Sequence, residues 1–370
     1  MSKYSFGIAV SLPERRADLR ELSSYHSPQV DVPVRLNTNE SPYPPPPEFV
    51  DAWLQALREV PLNRYPDRTV RLLREALADT NPFDCSAEQV FCANGSNEVL
   101  QTLLLVYGGL GRSALVFEPT YGLHSHIARV TGTEVVIGER SSDLTISPTE
   151  ATALIAAKRP AVVFICSPNN PTGISETRAT VEALLSAVID HGSGILVVDE
   201  AYGEFSDWSA RELVSDDLPL VVTRTYSKVW SLAAVRLGFA VGPTEVVANL
   251  NEFVLPYHLS ASTQAAGLCA LDFTNEMQKR VEMIVSERER LAAALGRLPG
   301  ITVYPSGANF LLVRALGLDL WSQLVGRGVL VRDFSTRPRL EDCLRITIGT
   351  PEENTILIST IAAILEETNL

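Results

Sequence analysis

Three apolar runs in this sequence end on residues that can do chemistry. "AVVFIC" is followed by "SPNNPTG", which carries Asn169 and Asn170. "ILVV" runs into "DEAY", Asp199 to Tyr202, and "LVVTRT" runs into "YSK", which closes on Lys228. In open α/β sheets ligands bind where strands end at their carboxyl termini, so these are the positions to question. Each has an ordinary explanation alone: asparagine with proline and glycine makes turns, a carboxylate caps the next segment, and most lysines are solvated. An amide, a carboxylate, a phenol and an amine on successive strand ends make something more specific. Together they form a site suited to a flat, polar heteroaromatic ring.

The elements that must hold these residues are legible in the hydrophobic pattern. Residues 1–35 are polar and irregular, and "NESPYPPPPEFVDAWLQAL" must stay extended through its prolines before a helix starts near Glu48. "NEVLQTLLLVY", "GLHSHIARVTG" and "TRATVEALLSAVIDHG" have helical spacing. Between and after them come "SALVF", "EVVI", "AVVFIC", "ILVVDE" and "LVVTRTYSK", which read as short strands. All-apolar strands alternating with helices predict a mostly parallel sheet covered on both faces. Past a helical stretch at 276–297, "ITVYP", "ANFLLVRA", "GVLVRDF" and "CLRITIGT" predict strands with one helix among them, and a last helix spans 351–367. The expectation is therefore an α/β chain in three parts: an arm (1–35), a large domain with a mostly parallel mixed sheet (36–275), and a smaller α+β domain (276–370).

Composition excludes several classes of partner. The chain has 370 residues, 46% hydrophobic and 20% charged, enough for a large core plus a smaller one. A formal charge of −13 with no basic block argues against nucleic acid or an anionic membrane surface, which leaves small metabolites. The five cysteines are an odd set without a CxxC pair, so free thiols in a reducing compartment are expected rather than disulfides or metal ligands. "MSKYSFGIAVSLPERR" has too short an apolar stretch for a signal peptide, and no run approaches the ~20 apolar residues of a membrane span. The expected location is the cytoplasm.

The constellation resembles the fold-type I pyridoxal-phosphate (PLP) enzymes, specifically the aminotransferases related to histidinol-phosphate aminotransferase. "VPVRLNTNESPYPPP", "NRYPD", "ANGSNEVLQ", "SPNNPTG", "VVDEAYGEF", "LPYHLSASTQAA", "ANFLLV", "VLVRDF" and "LRITIGTPEEN" match that family's segments in its order. The resemblance implies that Lys228 bonds the cofactor aldehyde as a Schiff base. It implies that Asp199 pairs with the pyridine nitrogen, and that Tyr202 and Asn170 hydrogen-bond the phenolic oxygen. Gly95, Ser96 and Asn97, at the start of a helix where free amides favour an anion, would cradle the cofactor phosphate. Thr225, Ser227 and Arg236 match the remaining phosphate contacts, and Tyr121 matches the aromatic that stacks on the ring.

The same resemblance implies a homodimer in which Tyr65 of "RYPD" reaches the neighbouring subunit's cofactor phosphate. It assigns substrate binding to Tyr25 in the arm, Asn39, Arg332 and Arg345; the two arginines lie on two strands of the small domain and could converge on one anion. The implied substrates are histidinol phosphate and glutamate/2-oxoglutarate, in histidine biosynthesis, with no metal. An aromatic amino acid aminotransferase or a threonine-phosphate decarboxylase would share most of these motifs. A transcription regulator built on the same fold would need a DNA-binding module that the short arm does not supply. Val229 and Trp230 depart from the small residue usual after the lysine, and their bulk is expected to narrow the space beside it.

Overall fold

The computed structural model describes residues 12–20, 22, 28–80 and 85–368. Among them the strands are β1 (Val34–Leu36), β2 (Val90–Ala93), β3 (Ser113–Glu118), β4 (Glu134–Glu139), β5 (Val162–Cys166) and β6 (Ile195–Asp199). Then follow β7 (Leu220–Thr225), β8 (Gly238–Val241), β9 (Ile301–Val303), β10 (Phe310–Ala315), β11 (Val329–Asp333) and β12 (Cys343–Thr347). One sheet has seven strands in the order β2-β8-β7-β6-β5-β3-β4, the other five in the order β1-β11-β12-β10-β9.

In the seven-stranded sheet only β8 runs against its neighbours, pairing antiparallel with both β2 and β7. The apolar runs read as strands bury both faces, and their alternation sorts side chains between two cores. Phe164 and Val197 point into a core shared with helices Ser96–Tyr107 and Thr244–Phe253. Ile165 and Val198, one residue on, point into the opposite core against helices Pro148–Lys158 and Arg178–His191. The α/β class with helices on both faces, expected from the sequence, is the one observed.

The second sheet packs against helices Thr274–Leu295 and Pro351–Glu367 in a core that Tyr202, Phe205 and Val229 join from the larger sheet's side. The last helix starts and stops where the sequence predicts, with Pro351 in its first turn and a reciprocal cap between Thr350 and Glu353. The segment read as irregular contributes at its end: β1 spans the expected boundary between residues 35 and 36 and pairs parallel with β11. That pairing threads the chain directly past the active-site cavity at residues 37–40. Strands β2 and β8 and helices Arg71–Asp79, Pro148–Lys158, Thr244–Phe253 and Ala261–Leu271 are additions to the sequence-based description.

Gly238 opens β8, paired with Ala93 on one side and Thr225 on the other. A Cβ there would stand 2.3 Å from the Ser96 nitrogen and 2.4 Å from the Gly95 carbonyl carbon. Both are backbone atoms at a helix start, so nothing flexible can yield. Gly238→Ala is expected to lower stability by roughly 1–3 kcal/mol, the usual cost of overpacking, seen as a lower midpoint in urea denaturation. An unchanged midpoint would show that the loop can move away from the strand at no cost.

Candidate active site

The carboxyl ends of β5, β6 and β7 open onto a cavity of about 410 Å³, lined among others by Asn170, Asp199, Tyr202, Lys228 and Arg345. The two adjacent asparagines after β5 have separate tasks. Asn169 is fully buried and clamps the turn, donating from Nδ2 to the Pro119 carbonyl (3.0 Å) and to Thr172 Oγ1 (2.8 Å) while accepting from Thr120 Oγ1 (2.7 Å). Asn170 faces the cavity. Its Nδ2 donates to the Tyr202 hydroxyl at 3.4 Å, and its Oδ1 accepts from Arg345 NH1 at 2.6 Å.

Asp199 ends β6 with 1% of its surface exposed. Oδ1 accepts from Thr223 Oγ1 (3.1 Å) and from the Ala201 amide (3.2 Å). Oδ2 lies 3.0 Å from His124 Nε2, within hydrogen-bond reach. The His124 ring is itself buried, stacked on Phe164 at 4.9 Å and edge-on to Tyr121 at 5.4 Å. The sequence reading passed over this histidine. The available signal was its place three residues after Tyr121 in "TYGLHSH", on the buried side of helix Leu123–Val130.

Lys228 sits half-buried in the turn after β7, its Nζ 3.3 Å from the Thr38 carbonyl and 5.5 Å from the Tyr202 ring centroid. Burial, then the nearby Arg345 and Arg236 guanidinium groups, push the amine down to about 7, against the opposing pull of Glu40 and Asp199. Such an amine is largely neutral above neutrality and can attack a carbonyl carbon. The Tyr202 phenol is pushed up by burial and keeps its proton, accepting from Asn39 Nδ2 at 2.9 Å. Asn39 is anchored by Thr347 and Asn309 of the second sheet.

At the other side of the cavity lies an anion cradle. Gly95, with φ +78°, caps the helix that begins at Ser96 and Asn97. A Cβ on it would meet Arg236 NH2 at 2.5 Å, so only glycine lets this guanidinium lie over the helix start. Arg236 NH1 donates to Ser227 Oγ (3.3 Å), which accepts from Thr225 Oγ1 (3.0 Å). Tyr121 donates to Asn97 Oδ1 at 3.2 Å, which places its ring at the cavity wall.

Arg332 and Arg345 are direct cross-strand partners of β11 and β12, and Arg345 reaches the cavity, 4% exposed. Tyr65 stands apart: it is 79% exposed and stacked on Tyr257 at 4.4 Å, away from the cavity of its own chain. Tyr25 lies outside the described residues. The expectation that Val229 and Trp230 narrow the site is corrected. Neither lines the cavity; Val229 turns into the core of the second sheet and Trp230 stacks on Tyr226 at 4.8 Å. Bulk after the lysine is absorbed by packing rather than by the site.

Residues 31–361 match the family model "Aminotransferase class I and II". The chain belongs to that aminotransferase family. A histidinol-phosphate aminotransferase of Frankia casuarinae is 46% identical over 349 residues, 91% of this chain and 87% of that one. One of Streptomyces avermitilis is 45% identical, covering 99% of this chain and 100% of the relative. Among solved structures, the histidinol-phosphate aminotransferase of Sinorhizobium meliloti in complex with pyridoxal-5'-phosphate superposes with a TM-score of 0.86, at 21% identity over 97% of this chain and 99% of that one. At that identity the likeness establishes the shared aminotransferase fold.

The Lys228 amine provides a direct test of the site's electrostatics. In protein dialysed free of carbonyl compounds, reductive methylation of Lys228 should rise with pH through a midpoint near 7, because the neutral form is the reactive one. Peptide mass spectrometry after pulse labelling reads the midpoint; a Lys228 midpoint above about 9 would contradict the assigned environment.

Proposed function

We propose that this protein is a pyridoxal-phosphate-dependent histidinol-phosphate aminotransferase of histidine biosynthesis. It would exchange an amino group between glutamate and imidazole acetol phosphate to give histidinol phosphate and 2-oxoglutarate. The observation that carries the reading is the pairing of a depressed lysine amine with an anion cradle on one side of the cavity and, on the other, Arg345, whose registered cross-strand partner is Arg332. Its membership of the family and the two relatives above 40% identity support it.

The residues present fit the cofactor. The amine of Lys228 is nucleophilic enough to bond its aldehyde carbon. The buried carboxyl group of Asp199 suits a pyridinium N–H, and Tyr202 with Asn170 suits the phenolic oxygen. The start of helix Ser96–Tyr107, with Gly95, Ser96, Asn97, Thr225, Ser227 and Arg236, suits the phosphate, and Tyr121 the ring face. When bound, pyridoxal phosphate supplies an electron sink for the charge that develops at the substrate's α-carbon.

The chain's own groups do the rest. Lys228 Nζ, its amine pushed down to about 7, would take the proton from the substrate's α-carbon as a base and deliver it as an acid to the carbon of the cofactor's former aldehyde. Asp199, held by Thr223, Ala201 and His124, would hydrogen-bond the cofactor's ring nitrogen. Arg345, held by Asn170 and by the Asn37 carbonyl, presents a planar donor set for the glutamate carboxylate in one half-reaction and shares a phosphate monoester with Arg332 in the other.

The homodimer and its shared sites belong to this proposal. Leu62, Phe253 and Leu255 are 90%, 63% and 77% exposed, and the exposed Tyr65–Tyr257 stack adds aromatic surface to these apolar side chains. That surface suits a second copy, with Tyr65 reaching its neighbour's phosphate site. The division into arm (1–35), large domain (36–275) and small domain (276–370) is part of the same reading. All five cysteines are free thiols, which suits a cytoplasmic location.

Arg332→Ala should lower kcat/KM for histidinol phosphate roughly ten- to a hundredfold, a loss of about 1.5–3 kcal/mol for a charged hydrogen bond, while sparing glutamate. Arg345→Ala should impair both. Equal losses with Arg332→Ala would turn the assignment toward an aminotransferase of aromatic amino acids.

Mixing Tyr65→Phe with Lys228→Ala subunits tests the shared site. A heterodimer then carries one doubly defective and one intact site, so activity should exceed that of the Tyr65→Phe enzyme in the mixture. If confirmed subunit exchange brings no gain, Tyr65 does not work across the dimer.

A further inference from the structure

Side chains two apart on a strand share a face, and so do directly opposed residues of neighbouring strands. Arg332 lies on β11, Phe334 follows two residues later, and Arg345 is the registered partner of Arg332 on β12. The ladder continues past the strand end, where the Phe334 amide donates to the Cys343 carbonyl at 3.0 Å. One face of this sheet thus gathers two guanidinium groups and a benzyl ring.

Like charges placed directly across a ladder repel, so this pair needs a compensating feature in the protein. The ring supplies one: the Arg332 guanidinium carbon lies 5.9 Å from the Phe334 centroid and that of Arg345 5.6 Å. The electron-rich face of an aromatic ring attracts cations at this range. Arg345 has further anchors, in Asn170, Asn37 and a second ring, Phe310 at 5.4 Å. Phe334 itself is half-buried, its inner edge packed against the cluster of Leu144, Ile174, Leu312, Leu340 and Cys343. It is therefore fixed on one side and presents the two cations with a rigid surface on the other.

We propose that Phe334 is a positioning residue for substrate specificity: its ring holds the Arg332 guanidinium beside that of Arg345, so that the two together form a seat for a phosphate monoester. The inference rests on the functional reading above and deepens it. A dianion with three terminal oxygens needs both guanidinium groups oriented before it arrives, whereas a carboxylate is satisfied by Arg345, which keeps its other anchors without the ring. Phe334 thereby sets the ratio between the two substrates that share this pocket, without touching either reacting carbon.

Phe334→Leu keeps an apolar side chain over the Leu144 cluster and removes the ring; Phe334→Tyr keeps the ring. With the holoenzyme, Phe334→Leu should raise KM for histidinol phosphate about tenfold with kcat within about twofold, and leave kcat/KM for glutamate within about twofold. Phe334→Tyr should restore the wild-type ratio of the two substrates. Thermal denaturation of each variant separates this from a folding defect, because a merely structural role lowers both substrates together and follows the melting midpoint. An unchanged KM for histidinol phosphate in Phe334→Leu, parallel losses on both substrates, or a tyrosine variant as impaired as the leucine one overturns the proposal. A wild-type enzyme that transaminates other amino acids but not histidinol phosphate overturns the functional reading itself, and the phosphate seat with it.

Discussion

The cavity lies where the two sheets meet, and among the polar groups that join them there the guanidinium of Arg345 makes the bonds that reach both. It projects from β12 of the five-stranded sheet, donates to Asn170 after β5 of the seven-stranded one, and donates again to the Asn37 carbonyl just past β1. Around it Asn39 bonds Tyr202 on one side and Thr347 on the other. Polar groups buried this deeply are tolerated only when satisfied, and each charged hydrogen bond here is worth roughly 1.5–3 kcal/mol. These bonds add specificity to the apolar packing that also joins the two sheets.

That arrangement sets the electrostatics of the site. Burial first, and then the permanent cations Arg345 and Arg236, make the Lys228 amine give up its proton more easily than one in water. The same cations are what anionic ligands require. An unprotonated nucleophile and affinity for phosphate and carboxylate groups thus share part of their physical origin.

Behind the cavity the fold supplies support that no functional group announces. His124 holds Asp199 from below while its ring is wedged between Phe164 and Tyr121, so the carboxylate, the stacking aromatic and the strand β5 core form one rigid unit. Val229 and Trp230 show the converse. Their side chains leave the site and pack into the cores on either side, tying the lysine's turn to both sheets.

Much of the site was legible in the sequence because a parallel strand buried on both faces has only one chemically free place, its end. The apolar runs located β5, β6 and β7, and whatever polar residues followed them had to meet at one edge; Asn170, Asp199, Tyr202 and Lys228 do. The glycine before Ser96 marked a helix start open to an anion for equally local reasons. What depends on long-range geometry was not legible. Residue types alone do not separate the clamping Asn169 from the cavity-facing Asn170, which only the family resemblance singled out, because their difference lies in contacts with Pro119 and Arg345 far along the chain. The sequence reading missed His124, since a histidine on an apolar helical face looks like core until its partner is known. It turned Val229 and Trp230 the wrong way, because side-chain direction in a tight turn is set by the neighbouring cores. That Arg332, Phe334 and Arg345 share one face follows from the register of β11 on β12. Local patterning thus determined which elements form and which residues stand at their ends, because those depend on neighbours a few positions away. Register and the meeting of the two sheets decided which of those residues face one another, because those depend on pairings between strands and on contacts such as Arg345 with Asn170 between distant segments.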